Sequence, residues 1–486
     1  MTDNHSALYA AFKTKDARFD GRFFVGISST GIYCRPTCRA KLAKEKNCTF
    51  FTSAAEAEQA GYRPCLLCRP ELAPGDSMTN GSSALARKMA RLMEESCGNG
   101  QSLEECSAKL GYTDRHMRRI FMEEYHVSPI QYAQTCRLLL AKNLLTDTDL
   151  PVVEVAMAAG FGSLRRMNDL FQKQYKLSPT SLRKQAAQGK FCTGKITVSL
   201  GYRPPYQWDT MLRFLKARAI EGVELVKDDQ YARTVCFKNR EGNTFRGWVQ
   251  VSHLPQKAML TVTLNETLVP VISQVLACVR RLFDLYCDPD AVYETLQTMN
   301  DLRSGLCIHG TRIPGCFNPF ETAVRAILGQ QISVKAASTL TGRIARTLGT
   351  PICTPMVGLT HTFPSAEDIL GVGHDIQERL GELGISSARS RSIQELAEAL
   401  AQGGVNLDQS ADVEQEMKKL QTIHGIGSWT AQYIAMRTMG WTDAFLETDA
   451  GIRKALQGFS PRELLELAEH WRPWRSYATV NLWNTL

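Results

Sequence analysis

Four cysteines near the start of the chain, Cys34, Cys38, Cys65 and Cys68, restrict what its first part can fold into more than any other feature. Their spacing, C-x3-C and C-x2-C across a 26-residue gap, is that of a closed zinc site. Each pair puts two sulfurs on one side of a metal, and the gap is long enough to bring the pairs together. Four thiolates on one divalent ion leave a net charge of minus two, which keeps at least one sulfur strongly nucleophilic at neutral pH. Most such sites are structural clips, and that is the plainest reading of the spacing. Cations surround the quartet, however: Arg35, Arg39, Lys41, Lys44 and Lys46 follow the first pair, and Arg63 and Arg69 bracket the second. An anionic centre among cations suits a polyanion.

The stretches Phe19-Asp20-Gly21-Arg22, Gly31-Ile32-Tyr33-Cys34-Arg35-Pro36-Thr37-Cys38-Arg39-Ala40 and Gly61-Tyr62-Arg63-Pro64-Cys65-Leu66-Leu67-Cys68-Arg69-Pro70 resemble the amino-terminal domain of the Ada adaptive-response family, over residues 1–78. The resemblance implies one Zn2+ held by Cys34, Cys38, Cys65 and Cys68. It further implies that Cys34 accepts a methyl group from an alkylated DNA phosphate. Such a transfer turns a thiolate into a thioether and removes one negative charge beside the phosphate backbone. One unit charge at close range is worth on the order of a few kcal/mol at intermediate dielectric, so DNA affinity should rise. The carbon–sulfur bond has no easy way back, which predicts a single turnover.

The length of 486 residues allows three or more domains. No long uncharged apolar run appears, and residues 1–15 lack the pattern of a signal peptide, so the expectation is a soluble cytoplasmic protein without membrane contact. Outside the quartet the cysteines show no framework spacing and read as buried small hydrophobes. The net charge of +8 is uneven. Residues 1–80 carry 11 Lys/Arg against 8 Asp/Glu and residues 81–190 carry 16 against 11, while the rest balances at 30 each. A DNA-binding unit in the first 190 residues accounts for that excess.

A small-residue linker over residues 73–83 leads into two similar segments. The first has a capped start at Ser102-Leu103-Glu104-Glu105, a turn at Leu110-Gly111-Tyr112 and a helix over 114–125. The second runs from Val152 through Ala159-Gly160-Phe161 into a helix over 163–175. Both second helices present arginines, Arg115, Arg118 and Arg119 in one, Arg165 and Arg166 in the other, and both segments end in Ser-Pro. An amphipathic helix over 131–145 joins them. This repeated helix-turn-helix resembles the AraC-type DNA-binding domain over residues 84–186, and the five arginines are the candidates for phosphate or base contacts.

Near residue 191 the pattern changes to strands over 195–200, 231–237, 245–251 and 259–264, with a helix over 209–219. From residue 319 helices dominate, predicted over 320–332 and 334–348. The sequence His424-Gly425-Ile426-Gly427 reads as a helix-hairpin-helix, whose glycines let backbone amides approach a phosphate. Asp449 follows at the spacing of the helix-hairpin-helix glycosylase superfamily. Tyr202 to Trp208, Ala326 to Ser333 and Trp471 to Tyr477 narrow the resemblance to AlkA-type 3-methyladenine DNA glycosylases, over residues 196–486.

That resemblance places Asp449 as the catalytic carboxylate and Trp429, Tyr433, Trp483 and Phe214 around the base. It places Gly425, Gly427 and Gln331 against DNA. A carboxylate stabilises positive charge growing on the sugar, and electron-rich rings select a cationic alkylated base once it is flipped out. Trp429 occupies the position of the lysine nucleophile of strand-cutting relatives, and no iron-sulfur cysteine pattern follows Asp449, so the expectation is a cofactor-free, monofunctional glycosylase. Gln331 stands where the AlkA relative has an apolar wedge, and Ala450 where it has an aromatic. The Ada family's Pro-Cys-His-Arg motif is missing, so repair of O6-methylguanine is not expected.

The expected fold is multidomain, mainly α with α+β parts. It comprises a small zinc-bound α/β domain (1–78), an all-α double helix-turn-helix domain (84–186), an antiparallel sheet with helices (194–305) and an all-α helix-hairpin-helix domain (306–486). The expected partners are alkylated double-stranded DNA, a promoter sequence and RNA polymerase, with the chain a monomer. Two rival readings are a regulator whose glycosylase-like half only binds DNA, and a glycosylase whose zinc clip is purely structural.

Overall fold

The computed structural model describes residues 2–75, 84–99, 102–185, 194–373 and 375–486, so most of the linker expected over 73–83 lies outside the described residues. The chain is multidomain and mainly helical, with two sheets. The first sheet has the order β3-β1-β2-β4, from β1 (Phe24–Ile27), β2 (Ile32–Cys34), β3 (Cys48–Phe51) and β4 (Arg63–Pro64). Three of its strands are antiparallel, but β4 runs parallel to β2 with Tyr33 opposite Pro64.

The helix-turn-helix units repeat down to their cores. In the helix Asp114–Tyr125 the buried face is Met117, Phe121 and Tyr125; in Leu164–Tyr175 it is Met167, Phe171 and Tyr175. Thr113 and Ser163 cap these helices through their side-chain oxygens. The joining helix is longer than its sequence pattern indicated, Pro129–Asp147, because Ser128 and Gln131 form a capping box with Pro129 in the first turn.

The second sheet is antiparallel, ordered β5-β9-β8-β7-β6, from β5 (Lys195–Gly201), β6 (Glu224–Lys227), β7 (Gln230–Lys238), β8 (Thr244–Leu254) and β9 (Met259–Asn265). Ile196, Val198 and Leu200 alternate inward on β5, as Leu260, Val262 and Leu264 do on β9. This core does not stop at the sheet. One buried apolar cluster runs from Leu144, Leu145, Phe171 and Tyr175 into Val198, Leu264 and Val279, so the second helix-turn-helix unit and the sheet domain are packed as one body. The zinc domain joins them through Arg22 on Asp288 and through Arg69, which meets Glu71, Asn143, Thr146 and Asp147.

The helical half packs around two clusters, one including Ala323, Ile327, Ile344, Leu396 and Ile434, the other Leu446, Ile452, Trp471 and Tyr477. Tyr433 and Trp441 touch both. The helix expected over 320–332 is shorter, Pro319–Leu328, because Gln331 adopts a left-handed conformation (φ 55°) that an α-helix cannot contain.

Candidate functional site

Strand pairing assembles the cysteine quartet. Cys34 ends β2, Cys38 follows one tight turn later with its amide bonded to Arg35 O (3.1 Å), and the parallel β4 delivers Cys65, whose amide reaches Tyr33 O (3.0 Å). The four Sγ atoms lie within 4.8 Å of one another and all four cysteines are free of disulfides. Cys34, Cys38 and Cys65 are buried, and Cys68 is partly exposed. Sulfur-only donors converging in a closed site fit tetrahedral Zn2+. Contacts between the sulfurs push the Cys34 thiol up, with Cys38 the largest influence, and pull Cys65 down, with Cys34 the largest, so the four do not ionise alike by themselves. One amide-to-sulfur hydrogen bond is seen among the described residues of the quartet, from Arg35 N to Cys68 Sγ (3.4 Å).

Not every nearby cation faces outward. Arg35 is held by Asp20 and by Cys68 O (3.3 Å), and Arg69 is committed to the junction with the joining helix. Arg39, Lys41, Lys44 and Lys46 are the exposed ones.

Arg115, Arg118, Arg119, Arg165 and Arg166 are all exposed on the two second helices. Arg118 pairs with Asp114 (2.8 Å) and Arg119 with Glu123 (3.1 Å). Among the described residues no ion pair engages Arg115, Arg165 or Arg166.

A cleft of about 890 Å³ opens at the seam of the two helical clusters, with Trp429, Tyr433, Asp449, Ala450, Trp483 and Gln331 among its walls. The hairpin between helices Val413–Leu420 and Ser428–Thr438 forms one side, with Gly425 left-handed (φ 75°) and Gly427 at the N-terminus of the second helix. Asp449 caps the helix Ala450–Ala455. Its Oδ1 accepts from the amides of Gly451 (2.9 Å) and Ile452 (3.1 Å) and from Trp483 Nε1 (2.8 Å). Oδ2 has no hydrogen-bond donor among the described residues. A side chain at 451 would not fit: its Cβ would lie 2.9 Å from both Asp449 Oδ1 and Trp483 Cδ1.

Trp429 stacks on Tyr433 (5.3 Å, 9°), and Tyr433 leans on Trp483 (6.2 Å, 47°). Phe214 departs from expectation. It is buried behind Trp483 (6.4 Å, 22°) and absent from the cleft wall, with the Arg218 guanidinium covering its ring at 3.8 Å. Arg218 and Arg437 were not anticipated, although each lies four residues after an aromatic, Phe214 and Tyr433, the spacing that puts both on one helix face. Arg437 donates to the Tyr433 hydroxyl. Burial alone would push the Tyr433 phenol up, but the guanidiniums of Arg437, Arg218 and Arg325 outweigh it and hold the phenol below the usual tyrosine range.

Residues 7–71 match the metal binding domain of Ada, 106–185 a helix-turn-helix domain, 197–318 the AlkA N-terminal domain, and 324–463 the HhH-GPD superfamily base excision DNA repair protein. The chain is 36% identical over 495 residues to a probable bifunctional transcriptional activator/DNA repair enzyme AlkA of Mycobacterium tuberculosis, covering 100% of this chain and 97% of that one. It is 38% identical over 294 residues to DNA-3-methyladenine glycosylase 2 of Escherichia coli, covering 59% of this chain and 96% of the relative. Over 147 residues it is 32% identical to the bifunctional transcriptional activator/DNA repair enzyme Ada of Escherichia coli, covering 30% of this chain and 40% of that one.

Proposed function

This chain belongs to the family of bifunctional transcriptional activator/DNA repair enzymes of the AlkA type, and from that membership we propose that Cys34 takes methyl from DNA methylphosphotriesters while Asp449 drives release of alkylated bases such as 3-methyladenine. The observation that supports the second activity most is the cleft. There a carboxylate anchored through one oxygen sits beside stacked aromatic rings. With Oδ1 taken by three donors, Oδ2 remains to stabilise positive charge on the sugar and to orient water as the glycosidic bond breaks. Trp429, Tyr433 and Trp483 hold the flipped base.

At the quartet, Zn2+ when bound keeps the four sulfurs of Cys34, Cys38, Cys65 and Cys68 as thiolates. Cys34 Sγ attacks the methyl carbon, the methyl–oxygen bond breaks, and its electron pair returns to the phosphate as a diester anion. The Arg35 amide draws charge from Cys68 and not from Cys34, which supports Cys34 over Cys68 as the acceptor. Cys34 is only 2% exposed, so transfer requires local opening of the β2 end. The resulting loss of negative charge strengthens promoter binding through Arg115, Arg118, Arg119, Arg165 and Arg166, and the protein engages RNA polymerase as a cytoplasmic monomer. No helix among the described residues is long and apolar enough to cross a membrane.

The test incubates the whole protein with methylated duplex DNA and maps methylated cysteines and released bases together by mass spectrometry. One methyl on Cys34, lost in Cys34→Ser, together with free 3-methyladenine, is the expected result. Base release without cysteine methylation leaves only a structural clip. Methylation without base release leaves a pure regulator.

A further inference from the structure

The turn Asp20-Gly21-Arg22 touches the cysteine quartet with one end and the repair half with the other. Asp20 is buried, and its two oxygens accept from Nε (2.9 Å) and Nη2 of Arg35. Arg35 follows Cys34 in the chain, and it is bound to the quartet twice more, through its amide on Cys68 Sγ (3.4 Å) and its Nη1 on Cys68 O (3.3 Å). Two residues past Asp20, Arg22 donates to Oδ2 of the buried Asp288. Asp288 Oδ1 caps the helix Pro289–Leu296 through the Ala291 amide (3.3 Å), and Val292 and Leu296 of that helix lie in one buried cluster with Leu446 and Ile452.

The turn is also backed from behind. Gly21 is left-handed (φ 76°), and the Cβ of any other residue there would lie 2.0 Å from Pro74 O and 3.2 Å from Arg203 Nη2. Arg203 is buried and donates to Gly75 O (2.8 Å) and to Tyr286 O (3.4 Å), so the backing comes from the segment that also carries Asp288. The repair half thus fixes the turn, and the turn fixes Arg35.

Cys34 is buried at the end of β2, and that end must open before anything reaches its sulfur. Opening carries the adjacent Arg35 outward. While Arg22 is anchored, Arg35 can leave only by abandoning Asp20, and a buried carboxylate stripped of its partner is costly. With Arg22 released, the turn can follow Arg35 and the Asp20–Arg35 pair survives. We propose that the repair half holds the methyl acceptor shut through this turn, an autoinhibitory contact that guards Cys34 until duplex DNA docks. An acceptor that cannot be regenerated is spent by any stray electrophile, which gives the guard its use. The inference rests on the reading of Cys34 as the methyl acceptor. Coupling of this kind is reciprocal: if losing the Arg22–Asp288 joint favours opening, opening loosens the joint by the same factor.

The experiment treats the zinc-loaded full chain with iodoacetamide and follows each cysteine by peptide mass spectrometry. Asp288→Asn keeps an oxygen for the Ala291 amide but loses the charge that holds Arg22, and Cys34 should react about tenfold faster than in the parent. Arg22→Gln, changed on the opposite side of the joint, should do the same. Cys106, buried in the first helix-turn-helix unit, serves as reference and should keep its rate. In the parent protein, an adduct on Cys34 should speed hydrogen exchange over residues 289–296 severalfold. An unchanged Cys34 rate in both variants, or an equal rise at Cys34 and Cys106, would overturn the proposal. Methyl uptake from a methylphosphotriester duplex is measured on the same proteins. Faster iodoacetamide reaction with no methyl uptake would leave the contact standing and sink the methyl-acceptor reading alone.

Discussion

Trp483 donates its indole N–H to Asp449 Oδ1 at 2.8 Å, which ties the last helix of the chain, Arg475–Trp483, to the cap of Ala450–Ala455. The carboxylate therefore has one oxygen fixed and one in reserve. Asp449→Asn keeps an oxygen for the three donors but removes the negative charge, so base release should fall by about 100-fold or more with the melting temperature nearly unchanged. Trp483→Phe keeps a ring and loses the donor, and a loss of about tenfold is expected from a misplaced carboxylate. Single-turnover assays beside thermal melts check both.

Gly451 makes that contact possible. A methyl group at this position would lie 2.9 Å from Asp449 Oδ1 and from Trp483 Cδ1, closer than carbon atoms tolerate. Gly451→Ala should push the indole off the carboxylate and reproduce the Trp483→Phe defect. Indole fluorescence should shift in the variant. Unchanged fluorescence with unchanged rate would mean that the helix Ala450–Ala455 simply moves aside.

A third outcome concerns the junction between the zinc domain and the DNA reader. Glu58, on the helix Ala54–Gln59, is buried and accepts from Tyr33 OH (3.0 Å), Tyr175 OH (3.3 Å) and Thr135 Oγ1 (2.9 Å). No ion pair engages it among the described residues. Burial is the main cause that pushes its carboxyl up to about 7 from an ordinary 4.5, while the three hydroxyls and then Lys142 oppose it. Between these values the folded protein holds a proton that the unfolded chain has lost, so stability falls as pH rises through the window and the full cost applies above it. That cost is on the order of 3 kcal/mol. Glu58→Gln should lose this pH dependence, and its advantage over the parent protein should grow from pH 4.5 to 7, as measured by denaturant melts.

These residues show why part of the molecule could be read in advance and part could not. Metal ligands lie close together along the chain, so the quartet was visible in its spacing, and Ser102 and Glu105 marked the start of the helix Leu103–Leu110, where they form a capping box. Glu58 sits in Ala-Ala-Glu-Ala-Glu-Gln, which reads as a solvated helix, and only the folding of three distant elements around it makes it a buried joint. The short strand Glu224–Lys227 escaped for a similar reason: four residues carry too little alternation to signal a strand. Gln331 looked like part of a helix because the clamp that breaks the helix comes from Gln330 meeting a hairpin 95 residues away.

The two kinds of arginine on the second helices should separate in a salt titration. Each phosphate neutralised by a cation releases counterions, and the slope of log K against log salt changes by about 0.9 per contact on duplex DNA. Arg165 and Arg166 are exposed and without an ion pair among the described residues, so either one mutated to alanine should flatten the slope by nearly that amount if it faces a phosphate. Arg118 and Arg119 already meet Asp114 and Glu123, and part of their charge is spent before DNA arrives. Arg118→Ala should flatten the slope by less, since part of its charge is already met by Asp114. Asp114→Asn then becomes the informative control. It should tighten DNA binding and steepen the slope if Arg118 holds phosphate, and it should change sequence preference without changing the slope if Arg118 reads a base edge instead. Fluorescence anisotropy over a range of salt, on promoter and unrelated duplexes, distinguishes these outcomes.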